Sequence, residues 1–441
     1  MTEPIHQKGG DTFLEDWTSG PLADYVEPPE YGYTDSATSE KLGPRFLRIT
    51  DIQEGDVDWS TVPYCSCRPD ALRVKRLVSN DIVVARIGGT TGKSFFIESC
   101  PGPTVFASYL IRIRPSSRKL ASKYLYYYMQ SDMYWSHIDQ HKGDRLKGGV
   151  NIPVLSSLQI AFPPRNQQDH IVRLLDQAQA ALHSEESQHR MAAELKRAVT
   201  RELFTRGLRG EAQKQTEIGP IPESWNVVPL GSLGRVGNGS TPKRSIPAYW
   251  NGGTYPWLTS AKVYDREIVS ADQFVTDTAL DHCHLPRIKP GAVLIAITGQ
   301  GKTLGHCAVL RFEATINQHI AYVAVDPTVA DPSFVRGYLE TQYEYLRQVG
   351  SGGGSTKGAL TCAFLRDFPI PQTDPKDQLR EQREIVAILD ALDKKVDLHK
   401  RKRGVLEDLF KSLLHKLMTG EIRVSELVVS ALGHRMSEVS A

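Results

Sequence analysis

Two glycine-rich turns are the places in this sequence where backbone amides could gather around a phosphate. Gly88-Gly89-Thr90-Thr91-Gly92-Lys93-Ser94 follows one apolar run, and Gly299-Gln300-Gly301-Lys302-Thr303 follows another. A nucleotide-binding loop requires four residues between its glycines, so that successive N–H groups encircle the phosphates. Here three residues separate Gly88 from Gly92, and one separates Gly299 from Gly301. The spacing argues against nucleotide binding, and the matched placement of the two turns points to a shared hairpin. Metal chemistry has little more support. Six cysteines include no C-x-x-C pair; Cys65 and Cys67 sit too close for zinc, which leaves His282-Cys283-His284 and His306-Cys307 as candidate ligand clusters. Thiols in a reducing compartment are the simpler reading. Methyl transfer would need an Asn/Asp-Pro-Pro-Tyr/Phe element to grip a flipped base, and Glu27-Pro28-Pro29-Glu30 has the wrong ends. Ser, His and Asp residues are plentiful, but no spacing joins them into a hydrolytic set. The expectation is a chain that is catalytically silent and binds no metal or cofactor itself.

The elements that would carry any site are best seen through a repeat. Trp17…Leu22 returns as Trp225…Leu230, Asn80–Gly88 as Gly291–Gly299, and Lys119–Leu125 as Ser333–Leu339, with the offset drifting only from 208 to 214. Self-similarity at that distance reads as a tandem duplication. Each copy holds short apolar runs of strand length, such as Ile82–Ala85 and Val293–Ile297, mixed with short helical runs. Each copy then closes on a long amphipathic stretch. Gln167–Arg206 follows Pro163-Pro164 and places Ile171, Leu174, Leu175, Ala178 and Leu182 on one face, with Leu203 further along. Leu379–Thr419 carries two heptad series, Leu389, Val396, Phe410 and Leu417 beside Ile385, Leu392, Leu406 and Leu413, interrupted at Arg403 and His399. Helices of about 60 Å with so narrow a seam need another helix to cover it, so the two are expected to pair. His399 and Arg403 would set register or face a partner.

The fold class expected is α/β (α+β) domains duplicated in tandem and separated by two long helices forming an antiparallel coiled coil. Its boundaries are residues 1–165 for the first domain, 166–209 for the first helix, 210–220 for a linker, 221–376 for the second domain, 377–423 for the second helix and 424–441 for a loose tail. A length of 441 residues fits several units, and 40% hydrophobic with 24% charged residues is a globular composition. No apolar run reaches the roughly 18 residues of a membrane span. The start, Met1-Thr2-Glu3-Pro4, has no leader-like pattern, so the cytoplasm is expected. A net charge of +2 is modest, but Met1–Asp70 carries 5 Lys/Arg against 14 Asp/Glu, and Ala71–Asn166 carries 14 against 5. Two readings follow, a basic surface for nucleic acid or acidic and basic segments that pair with each other.

From roughly Phe13 to Val424 the chain resembles the specificity (S) subunits of type I restriction-modification enzymes. The resemblance is carried by Ile221-Pro222-x-x-Trp225 with Leu230-Gly231, the Gly299–Lys302 turn, Asn317-Gln318-His319, Gly354-Ser355-Thr356-Lys357-Gly358 and Glu381-Gln382…Ile385, in that order. The first copy departs from it, with Ala107-Ser108-Tyr109 for Asn317-Gln318-His319, Gln167-Gln168 for Glu381-Gln382 and no Ile-Pro opening. The resemblance implies two target-recognition domains, each reading one half of a split double-stranded DNA site. It also implies helices that set the spacing and dock two methyltransferase subunits, and translocating, cleaving subunits that join this core. S-adenosylmethionine, ATP and Mg would belong to those partners. Specificity subunits of type IIB-like systems are similar, and a coiled-coil interaction adaptor that ignores DNA sequence is the alternative from another class.

Base reading needs donors and acceptors on loops, with Arg suited to guanine and Asn or Gln to adenine. The candidates in the first domain are Thr50, Arg86, Lys93, Ser108, Tyr109, Arg145 and Lys147. Those in the second are Thr259, Ser260, Lys262, Gln300, Lys302, Asn317, Gln318, His319, Ser355, Thr356 and Lys357. For the run His399–Arg403, a solvated helix face or a docking surface competes with neutralisation of spacer phosphates.

Overall fold

The computed structural model describes residues 16–53, 55–116, 118–142, 149–299, 302–351, 360–374 and 377–423. The chain divides into two compact units, Met1–Glu185 with Lys402–Ala441, and Glu186–Arg401. In the first unit, Ile82–Ala85 is an inner strand of a four-stranded antiparallel sheet. It lies between Leu110–Ile113 and Ser94–Phe96, and Glu30–Tyr31 pairs with the far side of Leu110–Ile113. All four residues of Ile82–Ala85 are buried, and the alternation explains why the run is continuously apolar. Ile82 and Val84 face a core with Tyr124, Leu125 and Tyr127, whereas Val83 and Ala85 face a second core with Leu47, Val57 and Phe106. Each large side chain so buried contributes about 1.5–3 kcal/mol.

The second unit repeats the plan with more strands. Its five-stranded sheet runs Gly234–Asn238, Ile320–Val325, Val293–Ala296, Cys307–Leu310, Glu267–Ile268, and only the last pairing is parallel. Val293 and Ile295 enter one core and Leu294 and Ala296 another, as in the first copy. In both units a parallel pair stands beside the main sheet, Arg45–Leu47 with Thr104–Phe106 and Tyr255–Leu258 with Thr315–Ile316. A short helix follows the last sheet strand in each, Ser122–Tyr128 and Pro332–Thr341. The second of these starts where Asp331 accepts from the N–H groups of Ser333 and Phe334, with Pro332 supplying a preset φ.

Two helices of 42 residues, Arg165–Arg206 and Gln378–Thr419, contribute to both units. Each ends at a glycine in the left-handed region, Gly207 (φ 62) and Gly420 (φ 75), a conformation that costs other residues a Cβ clash. In the first unit Ile171 and Leu175, from the start of the first helix, share a core with Leu414, Leu417 and Met418 from the end of the second. In the second unit Leu203 and Phe204, from the end of the first helix, meet Ile385 and Leu389 from the start of the second. The start of one helix therefore lies with the end of the other in each unit, which is antiparallel pairing.

The seam is apolar at its ends and mixed in between. Phe410 and Leu413 are half-buried against the first unit's core. Leu182, Leu392, Val396 and Leu406 are half-buried, while Glu185, Asp393 and His399 are buried. The helices also reach beyond one another, because Tyr127 packs on Phe410 and Phe204 packs on both Phe334 and Tyr338. Helix ends thus serve as walls of the domain cores, a role that the heptad pattern did not disclose. The segment read as a linker is a hairpin, Gln213–Thr216 paired with Gly219–Pro222. Residues 424–441 lie outside the described residues.

Candidate nucleic-acid interface

Register gathers the candidate loops at one end of each main sheet. In the second unit Asn238 pairs with Ala321 and Ala296 with Ile320, so residues 239–246, 297–299 and 317–319 emerge together. The parallel strand brings Thr259–Tyr264 alongside, because the Asn317 N–H donates to the Leu258 carbonyl at 3.0 Å. Gly239 permits the closest approach: a Cβ there would stand 1.8 Å from the Ile316 carbonyl oxygen. The first unit repeats the device with Gly32, whose Cβ would stand 2.2 Å from the carbonyl oxygens of Phe106 and Ala107.

Four polar side chains of the second unit form a chain across three loops. The Thr241 hydroxyl donates to Gln318 Oε1, Gln318 Nε2 lies 3.2 Å from His319 Nε2, and His319 Nδ1 meets the Thr298 hydroxyl. Asn317 is buried beneath them, and its Oδ1 accepts the His319 N–H at 3.0 Å. It holds the turn, whereas Gln318 and His319 are exposed. Lys262 is tied to Asp272 at 2.8 Å. Thr259 and Ser260 are half-buried beside the turn. Lys302 is exposed, and its carbonyl accepts from the Tyr343 hydroxyl at 2.6 Å. His306, packed between the tilted rings of Tyr264 and Tyr343, backs the same loop, and burial holds its imidazole below the ordinary value. Gln300, Ser355, Thr356 and Lys357 lie outside the described residues.

Residues that the motifs passed over join this surface. The Arg244 guanidinium lies 3.7 Å over the Trp250 ring and 5.1 Å from that of Trp257, and it donates to Gln273. Both indole N–H groups donate to the loop itself, Trp250 to the Lys243 carbonyl and Trp257 to the Ser240 carbonyl, each at 3.2 Å. The signal was present as Lys243-Arg244 inside the polar stretch Asn238–Ser245, ahead of Trp250.

The first unit brings Arg86, Lys93, Ser108 and Tyr109 to the equivalent sheet end. The Arg86 guanidinium lies 4.6 Å over the Tyr31 ring, the Arg86 backbone N–H donates to the Tyr109 carbonyl, and the Ser108 backbone N–H donates to the Tyr33 carbonyl. Lys93 and Thr50 are exposed, the latter on the turn after Arg45–Leu47. Arg145 and Lys147 lie outside the described residues. Both glycine-rich turns connect adjacent antiparallel strands, as the hairpin expectation had it. The acidic and basic segments do pair: Glu30 meets Lys75 and Arg112, and Glu27 meets Arg114. Exposed Arg73 and Arg76 still leave positive charge at the surface around Pro69–Lys75.

Among the described residues no group of three or more His, Cys, Asp or Glu side chains is placed to hold a metal ion. Burial pushes the Cys65 and Cys307 thiols up to about 12, so neither is an activated nucleophile at neutral pH. Nor is any helix among the described residues long and apolar enough to cross a membrane.

The matching family model is the type I restriction modification DNA specificity domain, found at residues 73–190 and 222–408. The chain belongs to that family. A putative type I restriction enzyme MjaX specificity subunit from Methanocaldococcus jannaschii is 25% identical over 421 residues, 93% of this chain and 94% of that protein. The MjaIX specificity subunit of the same organism is 29% identical over 219 residues, 48% of each chain. In fold, the chain is similar to the crystal structure of a type I restriction-modification S subunit from M. genitalium, with a TM-score of 0.57 at 16% identity over 95% of this chain and 99% of that one.

Proposed function

We propose that each unit reads one half of a bipartite, asymmetric DNA site and that the paired helices set the separation of the halves. The observation that carries this reading is the duplicated loop cluster, built at the same sheet end in both units but from different side chains. Readers of successive major-groove faces stand about 34 Å, one helical turn, apart. That each of the two 42-residue helices is continuous and contributes to both units supports this reading. The helices also dock two methyltransferase subunits, and restriction subunits join them. On this reading the chain itself is a non-catalytic cytoplasmic subunit without cofactor, and S-adenosylmethionine, ATP and Mg are used by its partners.

Expressing the chain with its methyltransferase subunit and sequencing the methylated DNA tests the reading. The expected result is one motif of two defined halves around an unspecified spacer. An unsplit motif would count against paired readers, and sequence-independent binding would favour an interaction adaptor.

A further inference from the structure

The chain of side chains in the second unit has a direction, and the direction matters for what Gln318 can recognise. Gln318 Oε1 accepts from Thr241, so Nε2 faces His319 Nε2 at 3.2 Å. A nitrogen facing an NH2 group must be the unprotonated one, which leaves His319 Nδ1–H to donate to Thr298. The His319 backbone is pinned in turn by the buried Asn317. An exposed glutamine would ordinarily rotate freely, but here its amide is ordered by partners up to 77 positions away in sequence.

We propose that Gln318 selects an adenine in the half-site of the second unit and that Thr241 and His319 are positioning residues that set its amide direction. The proposal rests on the DNA-reading function argued above. The amide keeps one N–H and one Oε1 lone pair beyond those bonded to His319 and Thr241, the donor and acceptor that a contact to N7 and N6–H of adenine in the major groove requires. Guanine offers two acceptors there and leaves Oε1 without a donor. The first unit has no counterpart of this device: Ser108 stands for Gln318, Tyr109 for His319 and Ile87 for Thr298. Ile87 and Tyr109 are exposed, at 40% and 55%, so an alkyl side chain and a phenol ring stand there in place of a hydroxyl and an imidazole. The two half-sites are therefore read by different chemistry.

The test uses the full chain with its methyltransferase subunit and reads the methylated motif by sequencing. Exchange of residues 222–376 with a relative's identifies the half belonging to the second unit. In Gln318→Glu the carboxylate cannot donate to N7, so one adenine position in that half changes, and preference for the original base falls about tenfold to a hundredfold. The other half stays as it was. His319→Ala and Thr241→Val free the amide to turn, so the same position becomes permissive instead of switching. Gln318→Ser, which copies the first unit, is the second variant should the glutamate fail to fold. An unchanged motif in both Gln318 variants overturns the proposal. So does uniform loss of methylation with an unchanged circular dichroism melt, which would make Gln318 a general affinity residue. If the motif responds to Gln318 but not to His319 or Thr241, the positioning roles are overturned. A wild-type complex with no bipartite motif instead overturns the proposed function.

Discussion

Gln168 and Gln382 occupy matched positions near the starts of the two long helices, and both are buried. Gln168 Oε1 accepts from Ala121 N–H at 2.8 Å while Nε2 donates to the carbonyls of Lys119 and Pro163; Gln382 Oε1 accepts from Asp331 N–H at 2.7 Å. Each glutamine therefore stitches a long helix to the N-cap residue of the short helix beside it, Ala121 or Asp331. Neighbouring Glu381 accepts from the buried Trp225 indole at 3.2 Å. Gln168→Ala strands buried backbone groups, each costing about 1–3 kcal/mol, and should lower the denaturation midpoint while leaving the methylated motif unchanged. Gly239→Ala is the contrasting case. Its new Cβ meets backbone, not a side chain that could swing away, so the loop must shift. Overpacking of this kind costs about 1–3 kcal/mol, and here the expected result is both a lower midpoint and weaker discrimination in the second half-site, measured on oligonucleotides carrying single-base changes.

Helix docking in the second unit depends on a network of alternating charge. Asp393 of the second long helix meets Lys196 of the first at 2.7 Å, Arg266 at 2.7 Å and Arg336 of the short helix at 3.7 Å. Glu340 adds contacts to Lys196 at 2.5 Å and Arg336 at 2.9 Å. Asp393 is buried, so Asp393→Ala removes the carboxylate these cations share and should lower the urea midpoint, but by less than the roughly 3–5 kcal/mol of an uncompensated buried charge, because Glu340 still meets Lys196 and Arg336 and Asp397 still meets Arg266. The network also has a pH signature. Burial raises the Glu340 carboxyl, but Lys196 and Arg336 outweigh it and hold the group below its ordinary value of 4.5. A depressed carboxylate stabilises fully above its unfolded value and loses that contribution as pH falls through the folded one. The melting temperature should therefore drop on acidification below about pH 4.5, and the drop should be shallower in Glu340→Gln.

For the whole chain, the exchange of residues 222–376 tests the proposed two-reader function: on that proposal, one half of the motif should follow the donor and the other should remain. Because phosphate contacts release counterions, affinity of the methyltransferase complex for its site should fall steeply with salt in both parent and exchanged chains. Equal salt slopes with different motifs would separate backbone attraction from base reading. A motif that changes in both halves at once would mean that the readers are not independent.

Much of this architecture was legible in one dimension. Strands such as Ile82–Ala85, the offset of about 210 residues and the heptads of Gln378–Thr419 are local or periodic patterns, and burial on one or both faces imposes them directly on residue order. Tertiary structure alone decided that the last turns of the second helix complete the first unit, where Leu414, Leu417 and Met418 enter its core. It also decided that Asn317 and Gln168 bond to backbone while Thr241, Arg244 and Thr298 reach the loop surface. A polar residue carries no periodic trace of its partner when that partner lies 77 positions away, as Gln318 does from Thr241. Hydrogen bonds of that reach exist only after strand register has brought the loops together.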